Sequence, residues 1–251
     1  MKYFSTFIIL FTAGIGNCFA QDLPSIETDR PDQTESPAIV PKNYFQFENG
    51  FSYEKTDNHS NEYVIPSTLT KFGINDHLEL RLITEFMIAN DNEQKITGIA
   101  PVLIGFKTRL FEEKGIIPLT SFIAHLSLPK LASKNFKTDY YAPEFRFTMQ
   151  HTLSDKLSLG YNLGAEWDGI TPEPTFIYTI TSGFKFSEKV NGYIELYGFI
   201  PQLQKADHRF DAGLNYLLNP NHQLDISGGF GLSETSPDYF VALGYSFRFK
   251  I

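Results

Sequence analysis

The sequence predicts an all-β chain: an antiparallel transmembrane β-barrel of the outer-membrane type, with about 12 strands. Three observations predict it. Apolar and polar residues alternate with period 2 along nearly the whole chain. An export leader precedes that pattern, and short and long connections take turns between its segments. Side chains of a strand point alternately to its two faces, so Leu157, Leu159, Tyr161 and Leu163 form an apolar face against Ser158, Gly160, Asn162 and Gly164.

The chain opens with Met1 and Lys2, an apolar run to about Ile15, and Cys18 and Ala20 as small residues before a cut. Residues 1–20 therefore read as a secretory signal peptide. Its removal takes away Lys2 and the single Cys, moving the formal charge from −8 to −9 and leaving no disulfide framework. The acidic balance argues against nucleic acid as a partner. No later apolar run is long enough for a membrane helix, which leaves short half-apolar strands untouched.

Residues 21–42 carry Asp22, Glu27, Asp29, Arg30, Asp32 and Glu35 with four prolines and no period 2, so they form an irregular lead-in. The barrel occupies 43–251. Its strands follow in order, each with an apolar row: Phe45, Phe47, Phe51, Tyr53; a less clean segment from Tyr63 to Phe72 around Pro66; Leu78, Leu80, Leu82, Phe86; Val102, Ile104, Phe106, Leu110. Next come Phe122, Ala124, Leu126, Leu128; Phe145, Phe147, Met149; the Leu157 strand; and Phe176, Tyr178, Ile180, Phe184. A ninth, from Val190 to Ile200, is ambiguous, because Ile194 and Leu196 compete with Tyr193 and Tyr197. The last three have Phe210, Leu214, Tyr216; Leu224, Ile226, Phe230; and Tyr239 through Phe249 on alternate positions. Tight turns near Asn75, Glu113, Ser154, Glu188 and Pro220 alternate with longer links such as 89–97, 129–138, 168–174 and 201–208. That alternation puts both chain ends on the periplasmic side.

Period 2 alone also fits a soluble barrel with the apolar face inside. Three features turn the apolar face outward to lipid: its Phe and Tyr content, the Gly, Ser, Thr and charged residues opposite, and the alternating apolar finish at Tyr245, Phe247, Phe249 and Ile251. Such a finish is similar to the signal read by the barrel assembly machinery. The expected partners are thus outer-membrane lipid, that machinery and a small-molecule solute, and the expected location is the outer membrane of a Gram-negative bacterium.

The inward face then holds lumen charges, among them Glu79, Arg81, Glu85, Lys107, Arg109, Glu144, Arg146, Glu166, Arg209 and Asp211. At this density they must pair or stay hydrated, either as a structural ladder or as a charge-selective constriction. Two readings of the lead-in stand side by side: a plug, with Asp29, Arg30 and Asp32 meeting wall charges, or a disordered periplasmic tail. Gly160→Ser on the inward face is expected to be tolerated.

The stretch Ile26-Glu27-Thr28-Asp29-Arg30-Pro31-Asp32-Gln33-Thr34-Glu35-Ser36-Pro37, with Val40 to Glu48 after it, closely resembles the bacterial meta-pathway phenol-degradation family. Pro66 to Leu69, Phe72 to Leu82 and the terminal strand are similar to it as well. The resemblance implies an outer-membrane barrel that takes up small aromatic or hydrophobic molecules.

Catalytic and cofactor chemistry is not expected. His125 and Ser127 share the lumen face but sit badly for nucleophile and base, and His151 lies on the outer face beside Ser154. The six histidines lack ligand spacing, and Asp57, His59 and Glu62 read as a solvated loop more readily than as a cation site. No cofactor, metal or enzymatic activity is called for. The function read from the sequence is a channel or transporter for small solutes, and the alternative is a non-conducting structural or binding barrel with a charge-filled lumen.

Overall fold

The computed structural model describes residues 24–92 and 94–251, so the expected signal peptide lies outside the described residues. Thirteen strands form one antiparallel sheet that closes on itself: β1 Tyr44–Lys55, β2 Ser60–Asn75, β3 Leu78–Asp91, β4 Gln94–Ile99, β5 Val102–Phe111, β6 Leu119–Leu128, β7 Ala142–Ser154, β8 Leu157–Glu166, β9 Thr175–Lys185, β10 Val190–Pro201, β11 Asp207–Asn219, β12 His222–Gly231 and β13 Tyr239–Lys250. β4 and β5 succeed one another along β3, which pairs with β5 through Leu78–Ile83 and with β4 through Phe86–Asp91. They share one wall position, broken at Ala100–Pro101, so the barrel has twelve.

Two expectations change. Residues 89–97, read as a loop, are largely strand, because the β3–β4 hairpin runs on past the apolar band. Beyond lipid both faces are wet, and a strand there needs no alternation. In β2, the pairing with β3 shifts between Val64 and Ser67. This bulge at Ile65–Pro66 exchanges the faces, so Tyr63 and Phe72 both point outward although their parity differs. It explains why β2 is poorly patterned.

The apolar rows face outward. Leu80, Ile104, Leu163, Ile180, Leu214 and Leu243 are exposed, whereas their polar neighbours Glu79, Lys107, Asn162, Thr179 and Ser246 are buried in the interior. An apolar exterior around a charged interior suits a bilayer and not water. The ambiguous β10 resolves the same way: Ile194 and Leu196 are outside, Tyr193 and Tyr197 inside.

The barrel closes where β1 meets β13 in unbroken register from Tyr44↔Lys250 to Lys55↔Tyr239. Rings meet across that seam on the outer face: Phe47 stacks on Phe247 at 5.2 Å and on Phe249 at 6.1 Å, and Phe45 lies tilted against Phe249 at 6.1 Å. Each such pair contributes about 0.5–1.5 kcal/mol beyond its area. Phe47→Ala should therefore lower the temperature at which the purified barrel loses its β-sheet circular dichroism. Phe122→Ala, which loses aromatic pairs away from the seam, should shift it comparably but leave the β1–β13 closure slow to fray in hydrogen exchange.

Candidate functional site

The site is the lumen itself, and its organiser is the segment from Pro24 to Lys42. That segment has no strand or helix, so its backbone groups need partners from elsewhere. The wall supplies them. Glu48 Oε2 accepts from the Asp29 and Arg30 amides at 2.9 and 3.2 Å, Glu195 from the Gln33 amide at 2.7 Å, and Glu79 from the Val40 amide at 2.8 Å. Asn162 accepts from the Glu35 amide at 2.7 Å and donates to the Glu35 carbonyl at 3.1 Å. Ser121 and Lys107 donate to the carbonyls of Pro37 and Ser36 at 2.6 and 2.7 Å. These donors and acceptors come from β1, β3, β5, β6, β8 and β10, so the segment is tied to most of the circumference.

Asp29 and Arg30 are adjacent in sequence and reach different walls. The Asp29 carboxylate is held by Lys71 Nζ on β2 at 3.0 Å, Arg81 Nη1 on β3 at 2.8 Å and Lys107 Nζ on β5 at 2.8 Å. The Arg30 guanidinium meets Asp225 on β12 at 3.0 Å. Arg81 is the hub of the first cluster. Its Nη1 also reaches Glu79 at 3.0 Å, its Nη2 reaches Glu35 at 2.6 Å, and its Nε donates to His125 Nε2 at 3.0 Å. Lys71 pairs in addition with Glu48 at 2.5 Å. All three cations are almost fully buried. Such charges are tolerable only when each finds a partner.

The predicted lumen charges all lie on inward positions, in several groups. Glu79, Arg81 and Lys107 join Asp29. Glu144 meets His125 at 3.2 Å and Arg146 at 3.6 Å, with Glu166 at 4.0 Å from Arg146. Arg209 pairs with Glu54 and Asp207 at 2.8 and 2.6 Å, and Asp211 accepts from Tyr193 at 3.1 Å. Glu85 accepts from Ser67 at 3.0 Å, and Arg109 pairs with Glu112 at 3.0 Å near the short-turn end. Asp32 pairs with no cation among the described residues and borders both lumen cavities. The sequence reading missed Lys71 because the bulge hid its face. Glu35 and Glu48 were legible as charged but not as partners of Arg81 and Lys71.

Glycines in the wall are shaped to the segment. Gly50 on β1 and Gly244 on β13 are paired across the seam, and a Cβ on either would overlap the Arg30 side chain. At Gly73 a Cβ would overlap the carbonyls of Val40 and Pro41. At Gly160 it would lie 2.9 Å from Thr181 Cγ2 and 3.3 Å from Thr34 Cγ2. The expected tolerance of Gly160→Ser is thereby corrected, since both neighbours are β-branched and give little.

Two cavities flank the segment. One, of about 340 Å³, opens toward the short-turn end beside Gln150, Ser158, Lys185 and Asn191. The other, of about 310 Å³, opens toward the long-loop end beside Tyr197, Phe199, Arg209 and Phe240. Arg30 and Asp32 line both, so the segment is what separates them.

His125 and His151 are both paired with wall side chains. Because Arg81 donates to Nε2 of His125, Nδ1 carries the proton toward Glu144, and both ring nitrogens are occupied. His151 faces Tyr161 at 3.3 Å. Asp57 accepts from the amides of His59 and Ser60 at 2.6 and 2.8 Å, which hold its carboxyl below the usual range and close an Asx turn. Among the described residues, no group of His, Cys, Asp and Glu has the geometry for a metal.

Comparison with known proteins agrees with this architecture. Residues 28–249 match the model of the family described as "Putative MetA-pathway of phenol degradation". The chain belongs to that family. No curated protein matches it. Among solved structures, an outer membrane channel from Pseudomonas putida F1 is similar over 88% of this chain and 99% of that one, at TM-score 0.68 and 14% identity. The NanC porin is similar over 81% and 98% at TM-score 0.56 and 10% identity, and the KdgM porin with oligogalacturonate over 82% and 99% at 0.52 and 11%. At these identities the likeness concerns the fold, a closed outer-membrane barrel.

Proposed function

We propose that this family member is a passive outer-membrane channel for small aromatic or hydrophobic solutes, and that residues 24–42 are its plug. The observation that carries the reading is that one docked segment lies between two solute-sized cavities inside the barrel and lines both. The similar barrels, titled a channel and porins, support it, as does the absence of a free acid–base group at His125. The reading is a transporter and not an enzyme. Export by residues 1–20, insertion through the terminal strand Tyr239–Lys250 by the assembly machinery, and lipid around the outer face complete it.

Planar-bilayer recording of the exported chain, beside one lacking residues 21–42, tests this. The intact chain should pass small, intermittent currents, and the truncated chain large steady ones. Equal conductance from the two, with both barrels folded, would remove the plug. Silence from both would favour the non-conducting, charge-filled barrel.

A further inference from the structure

Resting on the plug reading, we infer that the pocket gripping Asp29 is a binding site for the carboxylate of an organic anion, and that such an anion unlatches the plug by replacing Asp29. The wall's own charge balance carries this. Around the pocket, β2, β3 and β5 present three buried cations, Lys71, Arg81 and Lys107, while the wall supplies two carboxylates in contact with them, Glu48 and Glu79. The wall is short of one negative charge, and the plug brings two carboxylates to it: Asp29, which touches all three cations, and Glu35, which touches Arg81 alone. The vacancy has a specific shape: one Asp29 oxygen takes Lys71 and Arg81, and the other takes Lys107. That is the two-oxygen geometry of a carboxylate, and a neutral phenol or hydrocarbon cannot supply it.

The occupant is also replaceable. Asp29 belongs to an irregular segment held by side-chain hydrogen bonds and by two further ion pairs, Arg30–Asp225 and Glu35–Arg81, and not to a strand of the ladder. A solute entering from the long-loop cavity passes Tyr197, Phe199 and Phe240, surfaces that accept a ring, with Arg30 and Arg209 beside them. An aromatic carboxylate matches the chemistry of both, and because Asp29 and its three cations are buried behind this cavity, the anion reaches the latch past Arg30 and Asp32 as the segment loosens. Removing the plug without replacing its charge leaves three cations against two carboxylates at low dielectric, which disfavours opening in the absence of an anion.

The test uses the exported chain in vesicles carrying Ala38→Cys in the plug, a position that is partly open, and follows the rate of modification by a soluble maleimide. Benzoate is compared with benzamide, its neutral isostere. The expected result is a saturable rise of about tenfold in rate with benzoate at millimolar concentration and none with benzamide. In Asp29→Asn the rate should be high from the start and unresponsive to benzoate. With the plug released the three cations face Glu48 and Glu79 alone, so heat-modifiable migration first checks that the variant barrel folds. Equal action of benzoate and benzamide, no action of benzoate, or an Asp29→Asn plug as protected as the parent would each overturn the inference. Current recorded in parallel separates the two readings: benzoate-dependent labelling without current would sink the channel and leave the anion site standing.

Discussion

Ile180→Arg should prevent the barrel from assembling. Ile180 sits at the middle of β9 on the outer face, about half exposed, between Tyr161 of β8 and Leu196 of β10. A guanidinium there must enter hydrocarbon near the bilayer midplane, at a cost of about 2–4 kcal/mol. Domains of this kind have only a margin of about 5–15 kcal/mol, so the folded fraction after membrane insertion should fall sharply. Its neighbour Thr181 points inward to the cavity of about 340 Å³, where an arginine can reach water. Thr181→Arg should assemble normally, as followed by heat-modifiable migration and protease resistance of the membrane fraction. Equal defects in the two variants would mean that the faces have been assigned the wrong way round.

The contrast between those neighbours is the part of the fold that was open to sequence reasoning. In β8 the row Leu157, Leu159, Tyr161, Leu163 lies outside and Asn162 inside, as alternation requires, because lipid and lumen impose opposite demands on successive residues. Where one of those demands lapses, so does legibility. The β3–β4 hairpin beyond lipid has wet residues on both faces, and Asn90, Asp91 and Asn92 read as a loop. At Ile65–Pro66 one extra residue flips the parity, and unbroken alternation then assigns Lys71 to the wrong face. Counting parity afresh after Pro66 would have placed Lys71 beside Arg81 across the β2–β3 ladder, where the two are direct partners.

The site was legible as an inventory and not as a pairing. Charges on the inward face can be named strand by strand, but which of them meet depends on barrel closure. Arg30 and Asp225 are 195 positions apart and come into contact only because β13 closes onto β1 and carries β12 with it. The lead-in gave equal reason for a tail or a plug, since prolines and charges serve both. What shapes its path is the relief of the wall: Gly50 and Gly73 vacate space that the segment fills, Gly244 makes room for Asp225 together with Arg30, and Gly160 for Thr181 together with Thr34. A glycine in a strand weakens the strand, so four of them along the path of one segment make sense when the segment is part of the folded molecule.

That relief gives the second large effect. Gly50→Ala should release the tip of the plug, because the new Cβ would occupy the place of the Arg30 guanidinium. The strand itself loses nothing: alanine suits β1 there, and the pairing of Gly50 with Gly244 is backbone to backbone. What is lost is the ion pair with Asp225, whose side chain is fully buried and is left without its cation. Breaking a buried pair from one side costs about 3–5 kcal/mol, less here because Arg30 keeps some contact with solvent. Docking of the segment should weaken by about 3 kcal/mol, seen as longer open times in single-channel records and faster proteolysis within 24–42. A cycle with Arg30→Ala separates this from general damage to the seam. Removing the guanidinium empties the space that the Cβ needs, so Gly50→Ala should add almost nothing once Arg30 is gone, whereas a weakened seam would add its cost in both backgrounds. Additivity would place the effect in the β1–β13 closure; near-complete non-additivity would place it in the hold that the wall keeps on Arg30.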